Sequence, residues 1–89
     1  MKNEIEELLK DRGNEYGEFN QHALITQNLK LTIEEYCNAN LTYIHKEALD
    51  MIFHKIGRIV NGNPNNRDSW VDIAGYAMLV ANFLGEDKP

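Results

Sequence analysis

Apolar residues recur at helical intervals in four stretches of the chain. In residues 2–12, Ile5, Leu8 and Leu9 share one side and Glu4, Glu6, Glu7 and Lys10 the other, the pattern of a short amphipathic helix. Gly13-Asn14 reads as its C-cap and Glu15-Tyr16-Gly17 as a turn. Residues 18–30 predict a second helix, with Phe19, Ala23, Thr26 and Leu29 or Lys30 on one face and His22 at its edge. Thr32-Ile33-Glu34-Glu35 contains T-x-x-E, a capping box, so the helix is expected to restart at Thr32 and run to about Cys37.

After a break at residues 38–42, with Thr42 placed to cap, residues 43–60 form the third main helix. Ile44, Ala48, Leu49, Ile52, Ile56, Ile59 and Val60 fill a wide apolar arc, with Lys55 at its edge and Glu47, His54 and Arg58 in an adjacent polar stripe. Asn61-Gly62-Asn63-Pro64-Asn65-Asn66 stops that helix. Asp68 or Ser69 then caps a fourth helix over about 67–84. From Trp70 onward this helix is apolar nearly all round, and Asp72 is the exception. No strand alternation or repeat appears, so the pattern predicts an all-α fold in one domain, 1–89, with helices ~43–60 and ~67–84 paired antiparallel through a short loop. The tail from Gly85 to Pro89 is expected to fray.

A chain of 89 residues, 43% hydrophobic, builds only a thin core. The fourth helix has more apolar surface than so small a monomer covers, which predicts a homo-oligomer. A net charge of −5 argues against nucleic acid or an anionic membrane as the main partner. The apolar run from Ile73 to Leu84 is too short to span a bilayer. The single Cys37 forms no internal disulfide and suits a reducing cytosol.

A buried carboxylate needs a partner, so Asp72 directs the search for chemistry. Antiparallel pairing brings Lys55 and Arg58 near Arg67, Asp68 and Asp72 at one end of the hairpin, beside a helix N-terminus suited to anions. Lys and Arg there can hold phosphate. Equally, Lys55–Asp72 and Arg58–Asp68 can be ion pairs that lock the hairpin. Glu47, Asp50, Asp68 and Asp72 are an alternative carboxylate set for Mg²⁺, at spacing that permits a site without demanding one. Glu34-Glu35 reads better as first-turn acids favoured by the helix dipole. His45, His54 and Cys37 lack metal-ligand spacing, and no nucleophile triad or phosphate-binding glycine loop is present.

Tyr16-Gly-Glu-Phe19, Lys55-Ile-Gly-Arg58-Ile and Asp68-Ser-Trp-Val-Asp72-Ile-Ala-Gly-Tyr76 together resemble a family of small bacteriophage proteins of unknown function. That family is similar to the MazG-like all-α nucleoside triphosphate pyrophosphatases, which hold Mg²⁺ with paired acids on two helices. Asp72 matches the last acid of that set. Glu47-Ala-Leu-Asp50 imperfectly matches an earlier pair, and Ser69 stands where another acid belongs, with Asp68 one residue away. The resemblance implies a MazG-like helical fold and a nucleotide-sized, phosphate-tolerant pocket in a protein of the infected bacterial cytoplasm. The leading expectation is a nucleotide-binding protein without catalysis or cofactor, such as a sponge for a cyclic nucleotide defence signal. In it Lys55, Arg58 and Arg67 hold phosphates, Asp68 and Asp72 orient them or accept from ribose or base, and Tyr16, Trp70 or Tyr76 stacks on a base. The alternatives are an Mg²⁺-dependent pyrophosphatase and an acidic inhibitor of a host protein.

Overall fold

The computed structural model describes residues 2–85, with the side chain of Lys2 left aside. Among them there are four helices and no strand: α1 (Lys2–Tyr16), α2 (Phe19–Tyr36), α3 (Tyr43–Asn61) and α4 (Arg67–Leu84). The fold is all-α. The predicted tail lies, from Glu86 on, outside the described residues.

α3 is the centre because it has the widest apolar arc. α2 packs on one part of it and α4 on another, while α1 touches α2 and α3, and α4 meets α3 alone. Ala48 and Ile59 are the buried apolar residues of α3, and no described side chain is fully buried. Gly57 lets α2 approach closely: a β-carbon there would lie 2.8 Å from the His22 ring and 2.9 Å from Thr26 Cγ2. His22 and Thr26, at the edge of and on the predicted α2 face, are accordingly buried. Phe19 and Val60, also expected on apolar faces, are instead exposed at 75% and 64%. The Cα radius of gyration is 15.8 Å, against about 12 Å for a compact chain of this length.

Several helix boundaries differ from the sequence reading. α1 does not stop at Gly13-Asn14 but runs to Tyr16, and Gly17, at φ +82°, ends it in the left-handed conformation. α2 does not restart at Thr32, whose hydroxyl donates to the Asn28 carbonyl one turn back (3.0 Å) inside a continuous helix. The reciprocal cap forms instead at Thr42, where the backbone N–H donates to His45 Nδ1 (3.1 Å) and the hydroxyl lies 2.9 Å from the same nitrogen. α4 is capped by Asn66, not by Asp68 or Ser69: its Oδ1 accepts from the Asp68 backbone N–H (3.0 Å).

The asparagines between α3 and α4 clamp that loop to the α1–α2 turn. Asn61 Nδ2 donates to the Tyr16 and Glu18 carbonyls (3.1 and 2.9 Å). Glu15 Oε1 accepts from Asn63 Nδ2 (3.1 Å) and Asn66 Nδ2 (2.7 Å), and the Asn63 backbone N–H donates to the Glu15 carbonyl (2.7 Å). Asn66 therefore ties the end of α1 to the start of α4. Trp70 Nε1 donates to the Pro64 carbonyl (2.8 Å) and pins the same loop from its other side.

Candidate functional site

The residues expected to converge at one end of the hairpin divide between two sides of α3. Positions 55 and 58 are three apart, hence about 60° apart around a helix, and each meets a different neighbour. Lys55 turns to α4, where Nζ is 2.9 Å from Asp72 Oδ2. Its side chain is 12% exposed and that of Asp72 is 44% exposed. This is the only ion pair among the described residues. The Arg58–Asp68 pair does not form. Arg58 turns instead to the end of α1, with its guanidinium carbon 4.1 Å from the Tyr16 ring centroid in a cation–π stack.

The other expected residues lie outside that stack. Arg67 and Asp68 are exposed in the first turn of α4. Trp70 is committed to Pro64, and Tyr76 is half-buried on α4. Glu47 is exposed, and Asp50 lines a separate cavity of about 410 Å³ where α2 ends and α3 begins, with Lys30, Glu34 and Lys46. Among the described residues no three His, Cys, Asp or Glu side chains are grouped to hold a metal ion. The four carboxylates considered for Mg²⁺ are dispersed: Asp72 is paired with Lys55, Asp50 lines the other cavity, and Glu47 and Asp68 are exposed.

Arg58 and Tyr16 form one wall of an open cleft of about 720 Å³ between α1, the α1–α2 turn, the start of α2 and the middle of α3. Arg12 and Leu9 come from α1, Phe19 and Asn20 from α2. The volume lies in the range of small-molecule pockets. Two guanidiniums face one carboxylate, Glu18, so the cleft favours anions, whereas the smaller cavity balances two lysines with two acids. The exposed Phe19 ring offers a flat apolar surface at the same place.

Behind the arginine lies a histidine pair. His22 Nε2 and His54 Nδ1 are 3.2 Å apart, with the rings edge-to-face at a centroid distance of 4.6 Å. Phe19 stacks on the outer side of His22 at 6.4 Å. One nitrogen must donate and the other accept, so at least the accepting ring is neutral. Burial, then the positive charge of Arg58, lowers the His22 pKa, while the Gly57 backbone acts the other way. Burial, then His22, Arg58, Lys55 and Lys30, pushes His54 down to about 4. His22 Nδ1 is buried without a hydrogen-bond partner among the described residues.

In the sequence His22 falls at the edge of the α2 face and His54 in the polar stripe of α3, with nothing local to link them. The available signal was on α3: His54 and Arg58 are one turn apart and share a line along the helix. Arg12 and Phe19 gave no such signal, because their neighbours across the cleft are remote in sequence.

A family described as a domain of unknown function, DUF6378, matches residues 2–84. The chain belongs to this family. No curated protein and no solved structure matches it. No helix among the described residues is long and apolar enough to cross a membrane.

The histidine pair gives the DUF6378 chain a signed pH dependence. Both imidazoles titrate lower in the folded protein than their ordinary 6.5. The unfolded chain therefore binds more protons as pH falls below that value, and folding loses stability. The melting temperature is expected to hold above pH 7 and to fall between about pH 6.5 and pH 4, with a shallower fall in His54→Gln. Identical slopes in a set of melts across this range would show that the pair is not buried as a neutral unit.

Proposed function

We propose that this DUF6378 protein binds, without catalysis, a nucleotide or nucleotide-derived phosphate in the cleft of Arg12, Tyr16, Phe19 and Arg58. The carrying observation is that Arg58 is half-buried over the Tyr16 ring with no carboxylate partner among the described residues. A guanidinium held by ring stacking keeps its hydrogen-bonding edge for a ligand, and a planar fork suits phosphate oxygens. Arg12 adds a second positive group, and Phe19 can stack on a base. The resemblance to small bacteriophage proteins, and through them to MazG-like enzymes, supports a nucleotide over other anions. A cyclic nucleotide defence signal in the infected bacterial cytoplasm is the ligand that best suits a binder without a matching acid set. Arg67, Asp68, Trp70 and Tyr76 lie outside the stack and drop to secondary roles in this reading.

The test is a thermal-shift panel of nucleoside triphosphates and cyclic nucleotides, followed by calorimetry on any ligand that shifts the melt. Arg58→Ala is expected to keep its helix content and lose one charge-assisted contact, worth about 1.5–3 kcal/mol. That is about tenfold to a hundredfold in affinity. Arg58→Lys restores the charge but not the planar stack, so only part of the affinity returns. If no nucleotide shifts the wild-type melt, the binding reading fails. Pyrophosphate release with Mg²⁺ that disappears in Asp72→Asn would establish a hydrolase instead.

A further inference from the structure

His22 and His54 line the same cleft as Arg12, Tyr16 and Arg58. Their bond, between His22 Nε2 and His54 Nδ1 at 3.2 Å, needs one N–H and one lone pair. A neutral pair supplies both. So does a pair that carries one extra proton on the far nitrogen of the donor ring. A second proton would set two N–H groups against each other and break the bond. The closed pair therefore has room for one proton. The charges that act on it are mostly positive. Arg58, one turn beyond His54 on α3, opposes a proton on either ring. Lys55 from α3 and Lys30 from α2 add to that effect at His54. From α1 and the turn after it the cleft receives Arg12, Tyr16 and Glu18, the one carboxylate in its lining among the described residues. The Asp72 carboxylate of α4 is paired with Lys55 at 2.9 Å.

We propose that an anion enters this cleft together with one proton, which the His22–His54 pair takes up as the anion covers the Arg58 guanidinium. The proposal rests on the reading of the cleft as a phosphate site. An anion on Arg58 cancels a positive charge that acts on both rings, and it brings a negative charge to the same lining. Both changes favour a protonated imidazole. The complex then binds more protons than the free protein in the range below the ordinary histidine pKa. Affinity therefore rises as pH falls through that range, and it levels off above about pH 7, where neither state is protonated. A single proton limits the gain to about tenfold per pH unit. The histidines thus act as a pH-dependent part of the anion site, with their one proton counted in the binding equilibrium of the pair rather than of either ring.

The first probe is sulfate, which stays a dianion across the range. Proton NMR follows the ring signals of the 3 histidines from pH 8 down to the acid limit of the fold, in sulfate and in chloride at equal ionic strength. Sulfate is expected to raise the midpoints of His22 and His54. His45, bonded to Thr42 at the start of α3, is expected to keep its own. In Arg58→Gln both midpoints rise without any anion, and sulfate adds little. A cyclic nucleotide, whose diester charge is also fixed, is expected to bind roughly threefold to tenfold tighter at pH 5 than at pH 8. Backbone amide signals of residues 12–20 report binding itself in the same samples. If they move with sulfate while the His22 and His54 midpoints stay, the cleft binds anions without a proton and the proposal is overturned. An equal rise at all three histidines is a general ionic effect and overturns it too. If neither sulfate nor any nucleotide moves the amides, the phosphate reading fails and takes the proposal with it.

Discussion

Gly17→Ala is expected to lower the stability of this protein by roughly 2–5 kcal/mol, while Gly13→Ala, one turn earlier on the same helix, is neutral or stabilising by about 0.5–1 kcal/mol. The two glycines differ in what surrounds them. Gly13 lies within α1, and a β-carbon there would meet nothing within 4 Å. Alanine at that position only improves helix propensity. Gly17 is at φ +82°, where an L side chain strains the backbone by about 1–2 kcal/mol. A β-carbon there would also run into the Asn61 carbonyl and side chain. The neighbour cannot easily retreat, because Asn61 Nδ2 is bonded to the Tyr16 and Glu18 carbonyls on both sides of the glycine. Gly62 is held against Glu15 and Tyr16 in the same way, so Gly62→Ala is expected to fall beside Gly17→Ala. A chain of 89 residues has about 4–13 kcal/mol in total, so the melting temperature should drop on the order of 10 °C or more. Urea unfolding followed by circular dichroism checks the pair. Equal effects at 13 and 17 would mean that the clamp between the α1–α2 turn and the α3–α4 loop does not form.

That contrast also marks where sequence reading succeeds and where it stops. The extents of α3 and α4 were legible because periodicity, a capping threonine at 42 and an asparagine-glycine-proline loop all agree. Gly13 and Gly17 offer the same local signal for a helix end, and only the distant Asn61 decides between them. The T-x-x-E at Thr32 is a start signal without a preceding stop. Nothing from Lys30 to Glu34 breaks a helix, and Thr32 bonds back to Asn28 instead. The Asn-rich loop read as a breaker, but its amides also hold three helix ends together, which composition alone does not reveal.

The site was half legible for a related reason. Of the two alternatives for the basic cluster, the Lys55–Asp72 ion pair forms, with Nζ 2.9 Å from Oδ2. The alternative Arg58–Asp68 pair does not form, because a helix wheel fixes angles but not which neighbour occupies each side. α1, read as ending near residue 12, reaches Tyr16 and takes Arg58 away from α4. Extending α1 by one turn thus moves Arg58 from the expected hairpin end to the wall of the cleft.

Removing Asp72 is expected to cost more than removing Lys55, although they are two ends of one ion pair. In Asp72→Ala the ammonium of Lys55 remains with its side chain only 12% exposed and without its carboxylate. Stranding a charge in a buried pair costs about 3–5 kcal/mol. The flexible lysine stem can move its head toward water, which places this case near 3 kcal/mol or below. In Lys55→Met the methionine fills much of the lysine volume against α4. The carboxylate left behind is 44% exposed and hydrates with little rearrangement. Its cost is expected at about 1 kcal/mol or less. The double variant Lys55→Met/Asp72→Ala removes the stranded charge and should be more stable than Asp72→Ala alone, giving a coupling energy of about 1–3 kcal/mol in a double-mutant cycle. None of the three should alter ligand affinity at the cleft, because Asp72 faces α3 from α4 and does not line it. Denaturant unfolding of the four proteins reads the cycle. A larger loss in Lys55→Met than in Asp72→Ala would show that the lysine is held by its packing rather than by its partner.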